Sequence, residues 1–307
     1  MALSMALSMA LSMALSPLTV WRFTDGKPGH EKQSLALIES LAHYRKVHSV
    51  NLSAGPNLTQ QLFNGFIGKG FSEDGLPRPD LIVGAGHKTH LDILFAKRKR
   101  GGKTAVIMTP SLPLKWFDIV IAPEHDFIDR SPPDNVITTL TALASFIDSK
   151  VDPAQGLILL GGENKHFYWD NENVVAQIKK TIVATPEIKW SVSDSRRTPG
   201  NCLMLLKEAC KAMQNITYYA HEKSAKNWLN QQLKTAGHIL VTCDSASMIA
   251  EALHTNAKVD ILPLQPYDKS DKLFYSVEKI RNSENSQIKI SSTTKKTTEI
   301  LLNKLGL

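Results

Sequence analysis

The stretch Ile239–His254, ILVTCDSASMIAEALH, decides the fold. Ile239, Leu240 and Val241 form a short aliphatic run of the kind buried on both faces of a parallel sheet. Within three residues the chemistry turns polar: Asp244, Ser245 and Ser247 are small groups expected to cap a helix start, and Met248, Ile249, Ala252 and Leu253 recur behind them at helical spacing. A strand running straight into a helix points the free first-turn N–H groups beyond the carboxyl end of the sheet, where they and the helix dipole attract an anion such as a phosphate. Glu251, one turn on, is placed to accept hydrogen bonds from sugar or ribose hydroxyls. An ordinary capped helix with Glu251 solvated would read the same way, so the other strand ends decide between the two.

Outward from this stretch the chain alternates strand and helix. Leu18–Thr24 reads as a strand entering DGKPGHE (25–31) and then a helix marked by Leu35, Leu37, Ile38 and Leu41. Further strands are expected at 46–52, 80–83 (followed by GAGHKT), 104–108, 118–122 and 136–140, with a helix at 58–67. GFIGKG (65–70) follows no strand and is loop chemistry, and the 84–89 glycines lack P-loop spacing. The pattern restarts near 149–156. Strands at 156–160, 188–193, 216–219 and 259–262 alternate with helices at 172–183, 200–213 and 224–235, and a last helix covers 294–305. The expectation is two Rossmann-like parallel-sheet domains, 17–150 and 151–307, facing across a cleft that binds the ligand, the last helix packing back on the first domain.

Composition narrows the function. With 307 residues and 42% hydrophobic content, the chain has material for two cores. The net charge of +7 is scattered; its densest cluster, Lys97–Arg100, suits an anionic substrate or an acidic membrane surface, and no recognition motif points to nucleic acid. Cys202, Cys210 and Cys243 lack metal-ligand pairing and read as reduced, buried thiols of a cytoplasmic protein. No apolar run reaches the roughly 20 residues of a membrane span. Residues 1–16 are MALS four times over, without the basic segment of a secretory signal, and are set aside from the fold as a tag-like repeat. His87, His90 and Asp92 have the residue types of a metal site, but they fall on one expected helix with no second motif.

The polar motifs gather at strand ends: 25–31, 84–89, 161–166, 194–199 and 244–251. Lys27, Lys165, Arg196 and Arg197 make their character anion-binding. In sequence, DGKPGHEKQS (25–34), GAGHKTH (84–90), LLGGENKHFYWD (159–170), SDSRRTP (193–199) and VTCDSASMIAEA (241–252) resemble the bacterial relatives of the plant mitochondrial-fission (elongated-mitochondria) proteins, across about residues 18–285. That resemblance implies a glycosyltransferase fold of the GT-B type, with a nucleotide-sugar donor in the C-terminal half and a lipid- or polysaccharide-linked acceptor in the N-terminal half. It further implies that Ser245 and Ser247 hold the diphosphate, Glu251 the ribose, and Gly161, Gly162, Asn164 and Lys165 border phosphates or sugar. Arg196 would neutralise the departing nucleoside diphosphate without a metal. His30 is the candidate general base, with Asp25 or Glu31 as alternatives and His166 as a second imidazole. Cys243 stands where the family has a smaller residue. The family's plant members suggest work at a membrane surface, hence a cytoplasmic protein peripheral to the membrane's inner face. Two other readings compete: a non-catalytic scaffold that keeps the fold, and a sugar-nucleotide epimerase, disfavoured because no G-x-G-x-x-G follows the first strand.

Overall fold

The computed structural model describes residues 16–55, 75–147, 150–223, 225, 227–282 and 293–307. The expected helix at 58–67, the 65–70 glycine loop and all but the last residue of the MALS repeat lie outside them. The chain forms two compact units: one of residues through Thr139 with Leu143–Ser145 and Thr293–Leu307, the other of Leu140–Ala142 and Phe146–Ser292.

The N-terminal unit carries β1 (Leu18–Thr24), β2 (Val47–Ser53), β3 (Leu81–Ala85), β4 (Lys103–Ile107), β5 (Ile119–Pro123) and β6 (Val136–Thr139). They pair in the order β2-β1-β3-β4-β5-β6, all parallel. Alternate side chains supply two cores. Val20, Leu81, Val83, Ile119 and Ile121 pack on one face with Leu37 and Leu41 of α1 (Pro28–Ala42), while Trp21, Phe23, Ile82 and Val120 pack on the other with Ile93 and Ala96 of α2 (His90–Arg100). Burial on both faces is why these strands read as continuous apolar runs.

The C-terminal unit carries β7 (Asp152–Leu159), a two-residue β8 (Phe167–Tyr168), β9 (Lys189–Ser193), β10 (Ile216–Tyr219), β11 (Ala236–Thr242), β12 (Lys258–Leu262) and β13 (Gln265–Pro266). Its parallel sheet runs β10-β9-β7-β11-β12, and β8 pairs antiparallel with β13 as a separate ribbon. Helices α3 (Asn171–Ala184), α4 (Gly200–Ala212), α5 (Trp228–Thr235), α6 (Ala246–Leu253) and α7 (Lys272–Arg281) complete it. Asp170 caps α3 by accepting from Asn173 N–H at 3.0 Å. α7 and the ribbon have no counterpart in the sequence reading. The final helix, α8 (Thr293–Leu305), belongs to the N-terminal unit: Leu301 and Leu302 enter its core, and Thr298 Oγ1 donates to Ser40 Oγ of α1 at 2.8 Å.

Strand order reverses once in each sheet, between β1 and β3 and between β7 and β11. At such a reversal the connections on either side diverge and leave a crevice beyond the carboxyl ends, the usual place for a ligand.

Candidate functional site

In the C-terminal unit the reversal brings together the loop after β7 and the loop between β11 and α6. Gly161 N–H donates to Thr242 Oγ1 at 2.8 Å, and Gly162 N–H to Asp244 Oδ2 at 3.0 Å. A third loop, after β9, closes on them: Ser195 Oγ donates to Gly161 O at 2.6 Å, as does Thr198 Oγ1. Arg197 links all three, with Nη2 2.9 Å from Asp244 Oδ2 and Nη1 3.1 Å from Gly162 O. Both glycines are needed for close approach. A Cβ on Gly161 would strike the Asp244 carboxylate, and one on Gly162 would land on the Arg197 carbonyl. Their N–H groups are therefore engaged within the site rather than turned to a ligand.

The start of α6 behaves differently from the sequence expectation. Ser245 stands at the N-cap, yet neither it nor any neighbour caps the helix with a side chain. Asp244 faces Gly162 and Arg197 instead, its side chain fully buried. The first intrahelical bond is Ile249 N–H to Ser245 O, so the N–H groups of residues 246–248 precede it. Ala246 is exposed, and Ser245 and Ser247 are half-buried with hydroxyls engaged by no partner among the described residues. Glu251 lies half-buried on the second turn. Lys165 and Arg196 are exposed and unpaired among the described residues. Asn164 is a structural tie, donating from Nδ2 to Asp244 O at 3.0 Å and accepting from the N–H groups of His166 and Phe167.

In the N-terminal unit the reversal holds the other candidates. His30 Nδ1 lies 2.8 Å from Asp25 Oδ2, and Gly86, at φ 84°, passes so close that a Cβ would strike the imidazole. Burial pushes the Asp25 carboxyl up, but the His30 ring and the Lys27 N–H outweigh it and hold it below the usual carboxylate range. Glu31 Oε1 accepts from Gly26 N–H at 3.1 Å and so shapes the loop. Of the three candidates, His30 and Asp25 are thus paired with each other, and Glu31 holds the loop backbone.

Two further pairs were not legible. His166 Nδ1 lies 2.7 Å from Asp271 Oδ2, whose other oxygen caps α7 through Leu273 N–H and Phe274 N–H. Asp194, also buried, accepts from Tyr218 OH and His221 N–H. The spacing of a capping Asp271 from Leu273, Val277 and Ile280 was the available signal for α7. Among the described residues no three His, Cys, Asp or Glu side chains group as metal ligands: Asp92 accepts from Gly55 N–H, and His90 sits buried against Phe117. Within the Lys97–Arg100 cluster, Lys97 is committed to Asp118 at 2.7 Å and Arg100 to Leu76 O and the Trp21 ring. No helix among the described residues is long and apolar enough to cross a membrane. The three cysteines are free thiols, and burial raises Cys202 to about 11 and Cys243 to about 12.

Two parallel-sheet Rossmann-like units of this order make a fold of the GT-B type. The chain is similar to the UDP-GlcNAc 2-epimerase of Methanocaldococcus jannaschii (TM-score 0.52, 13% identity, 94% of this chain and 100% of that one). It is also similar to a glycosyltransferase from Rickettsia africae ESF-5 (TM-score 0.50, 10% identity, 94% of each chain). The family described as mitochondrial fission ELM1 matches residues 28–296, and the chain belongs to it. A relative, the uncharacterized protein RP120 of Rickettsia prowazekii (strain Madrid E), is 23% identical over 284 residues, covering 76% of this chain and 80% of that one.

Proposed function

We propose that the protein is a glycosyltransferase that moves a sugar from a nucleotide-sugar to a hydroxyl of a lipid- or polysaccharide-linked acceptor. The observation that carries the reading is the uncapped start of α6 at the strand-order reversal, with small half-buried serines around it. A diphosphate there receives the N–H groups of residues 246–248 and the Ser245 and Ser247 hydroxyls. Lys165 and Arg196 supply positive charge, and Glu251 accepts from the ribose. In the reaction the bond from the anomeric carbon to the diphosphate oxygen breaks and a bond to the acceptor oxygen forms. The acceptor proton passes to His30 Nε2, since Asp25 holds Nδ1. The negative charge that develops on the leaving diphosphate is what the α6 dipole and cations stabilise.

The likeness to an epimerase fold favours a second reading. A reaction at the sugar's C2 that needs no hydride escapes the argument from an absent G-x-G-x-x-G motif. An epimerase converts its nucleotide-sugar alone, whereas a transferase releases nucleoside diphosphate only in step with an acceptor; proton NMR of the sugar distinguishes them. A thermal-shift screen against UDP-, GDP-, ADP-, CMP- and dTDP-sugars tests the shared premise, because a bound ligand raises the melting temperature by mass action. A rise with one base series is expected. No response to any donor would leave the non-catalytic scaffold as the better account.

A further inference from the structure

The ribbon of β8 and β13 has no evident architectural task. It is two residues long on each side, too short to stabilise itself. Its inner side is anchored: Phe167 is 1% exposed and meets the Phe274 ring edge-on. Its outer side carries two tyrosines in the open, Tyr168 at 50% and Tyr267, the residue after β13, at 64% exposure. Their ring centroids lie 6.2 Å apart in an edge-on arrangement.

The ribbon is tied to the start of α6 by consecutive hydrogen bonds. Asn164 donates to Asp244 O and accepts from His166 N–H and Phe167 N–H, and Tyr267 N–H donates to His166 O at 3.0 Å. His166 is fixed in turn, because Asp271 holds its Nδ1. That leaves Nε2 as the ring's second polar atom, with no partner among the described residues. An aromatic pair, an oriented imidazole and the exposed ammonium of Lys165 therefore sit on or beside one ribbon, joined to the proposed diphosphate site.

We propose that this ribbon is the subsite for the sugar ring of the nucleotide-sugar, an inference that rests on the reading above and deepens it. A pyranose has apolar C–H faces and a polar rim. The faces pack against exposed aromatic rings, and the rim hydroxyls need groups that donate and accept at fixed positions. Tyr168 and Tyr267 supply the first requirement, and His166, oriented by Asp271, supplies the second. The nucleoside diphosphate itself needs none of these groups.

Calorimetric titration of the full chain with UDP and with UDP-N-acetylglucosamine tests the assignment. Tyr168→Ala and Tyr267→Ala should each weaken UDP-N-acetylglucosamine about tenfold, the scale of one lost aromatic contact, and leave UDP unchanged. Tyr267→Phe should bind like the unaltered protein, since the ring face does the packing. Equal weakening of both probes, or weakening of neither, overturns the subsite and leaves the nucleotide reading in place. If the unaltered protein binds neither probe, the same titrations are run with the base series that raises the melting temperature in the screen, and if none does, the nucleotide reading and the subsite fall together. Both tyrosines are exposed, so folding of the variants is not at risk.

Discussion

Asp25 and Asp271 perform one physical task in different units, each accepting from the Nδ1 of an imidazole and so leaving Nε2 as the ring's other polar atom. Both carboxyls feel burial pushing them up, and both are held below the ordinary range by the histidine and by backbone N–H groups. For a carboxyl depressed in this way the contribution is present above the unfolded pKa and lost as the pH falls through the folded one. The contribution of both carboxylates is therefore present from about pH 5 upward and fades in more acidic solution. Asp25→Asn should lower the transfer rate about a hundredfold, within the range of general base catalysis, with donor affinity unchanged; steady-state kinetics separates the two. Lys165→Ala and Glu251→Ala should instead each weaken nucleoside diphosphate binding at least about tenfold with the fold intact, read by calorimetry and circular dichroism. His90 gives a stability prediction. It is 2% exposed, both ring nitrogens have no partner among the described residues, and burial lowers its pKa to about 4. Between about pH 6.5 and pH 4 the unfolded chain takes up the proton and the folded chain does not, so folding weakens as the pH drops through that window. His90→Phe, which keeps a ring against Phe117, should flatten that slope in urea melts taken from pH 4 to 7.

At the scale of elements, α6 is a helix whose local stability and proposed task pull in opposite directions. Ser245 has the extended backbone of an N-cap (φ −127°, ψ 97°), yet its hydroxyl caps nothing. Ser245→Asp should raise stability by about 1 kcal/mol, because a carboxylate there accepts the first-turn N–H groups. The same change should cost most of the nucleotide affinity, by occupying those donors and repelling the diphosphate. Melting temperature and Kd moving in opposite directions would establish the trade. The strands were legible because burial on both faces demands apolar runs, and β1 and β10 fall where the sequence places them. The aspartate and serine at 244 and 245 misled for a physical reason: a small polar residue before a helix has several partners available, and Asp244 pairs with Arg197, 47 residues away. A pair such as His166 with Asp271, 105 residues apart, leaves no local trace at all. The ribbon was illegible because two residues show no periodicity.

At the scale of the whole molecule, the N-terminal unit is discontinuous in sequence. Leu301 and Leu302 of α8 fill its core, and Tyr44 OH reaches Glu299 at 2.7 Å. A chain ending before Thr293 should lose roughly 3–6 kcal/mol from that unit, the burial of two leucines, and unfold early in urea. The C-terminal unit would keep its own core and its nucleotide affinity. Fluorescence of Trp21, buried in the N-terminal unit, follows the first change, and titration with nucleotide follows the second.

The same discontinuity bears on how the protein is made. Translation delivers the six N-terminal strands first, but the helix that packs on α1 and β6 follows only after some 147 further residues, from Phe146 to Ser292. At about 5–20 residues per second, that is a wait of roughly 7–30 s with a greasy sheet face uncovered. Throughout that interval the half-made chain is a client for whatever shields nascent polypeptides near the ribosome exit, and the unit begun first is the one finished last.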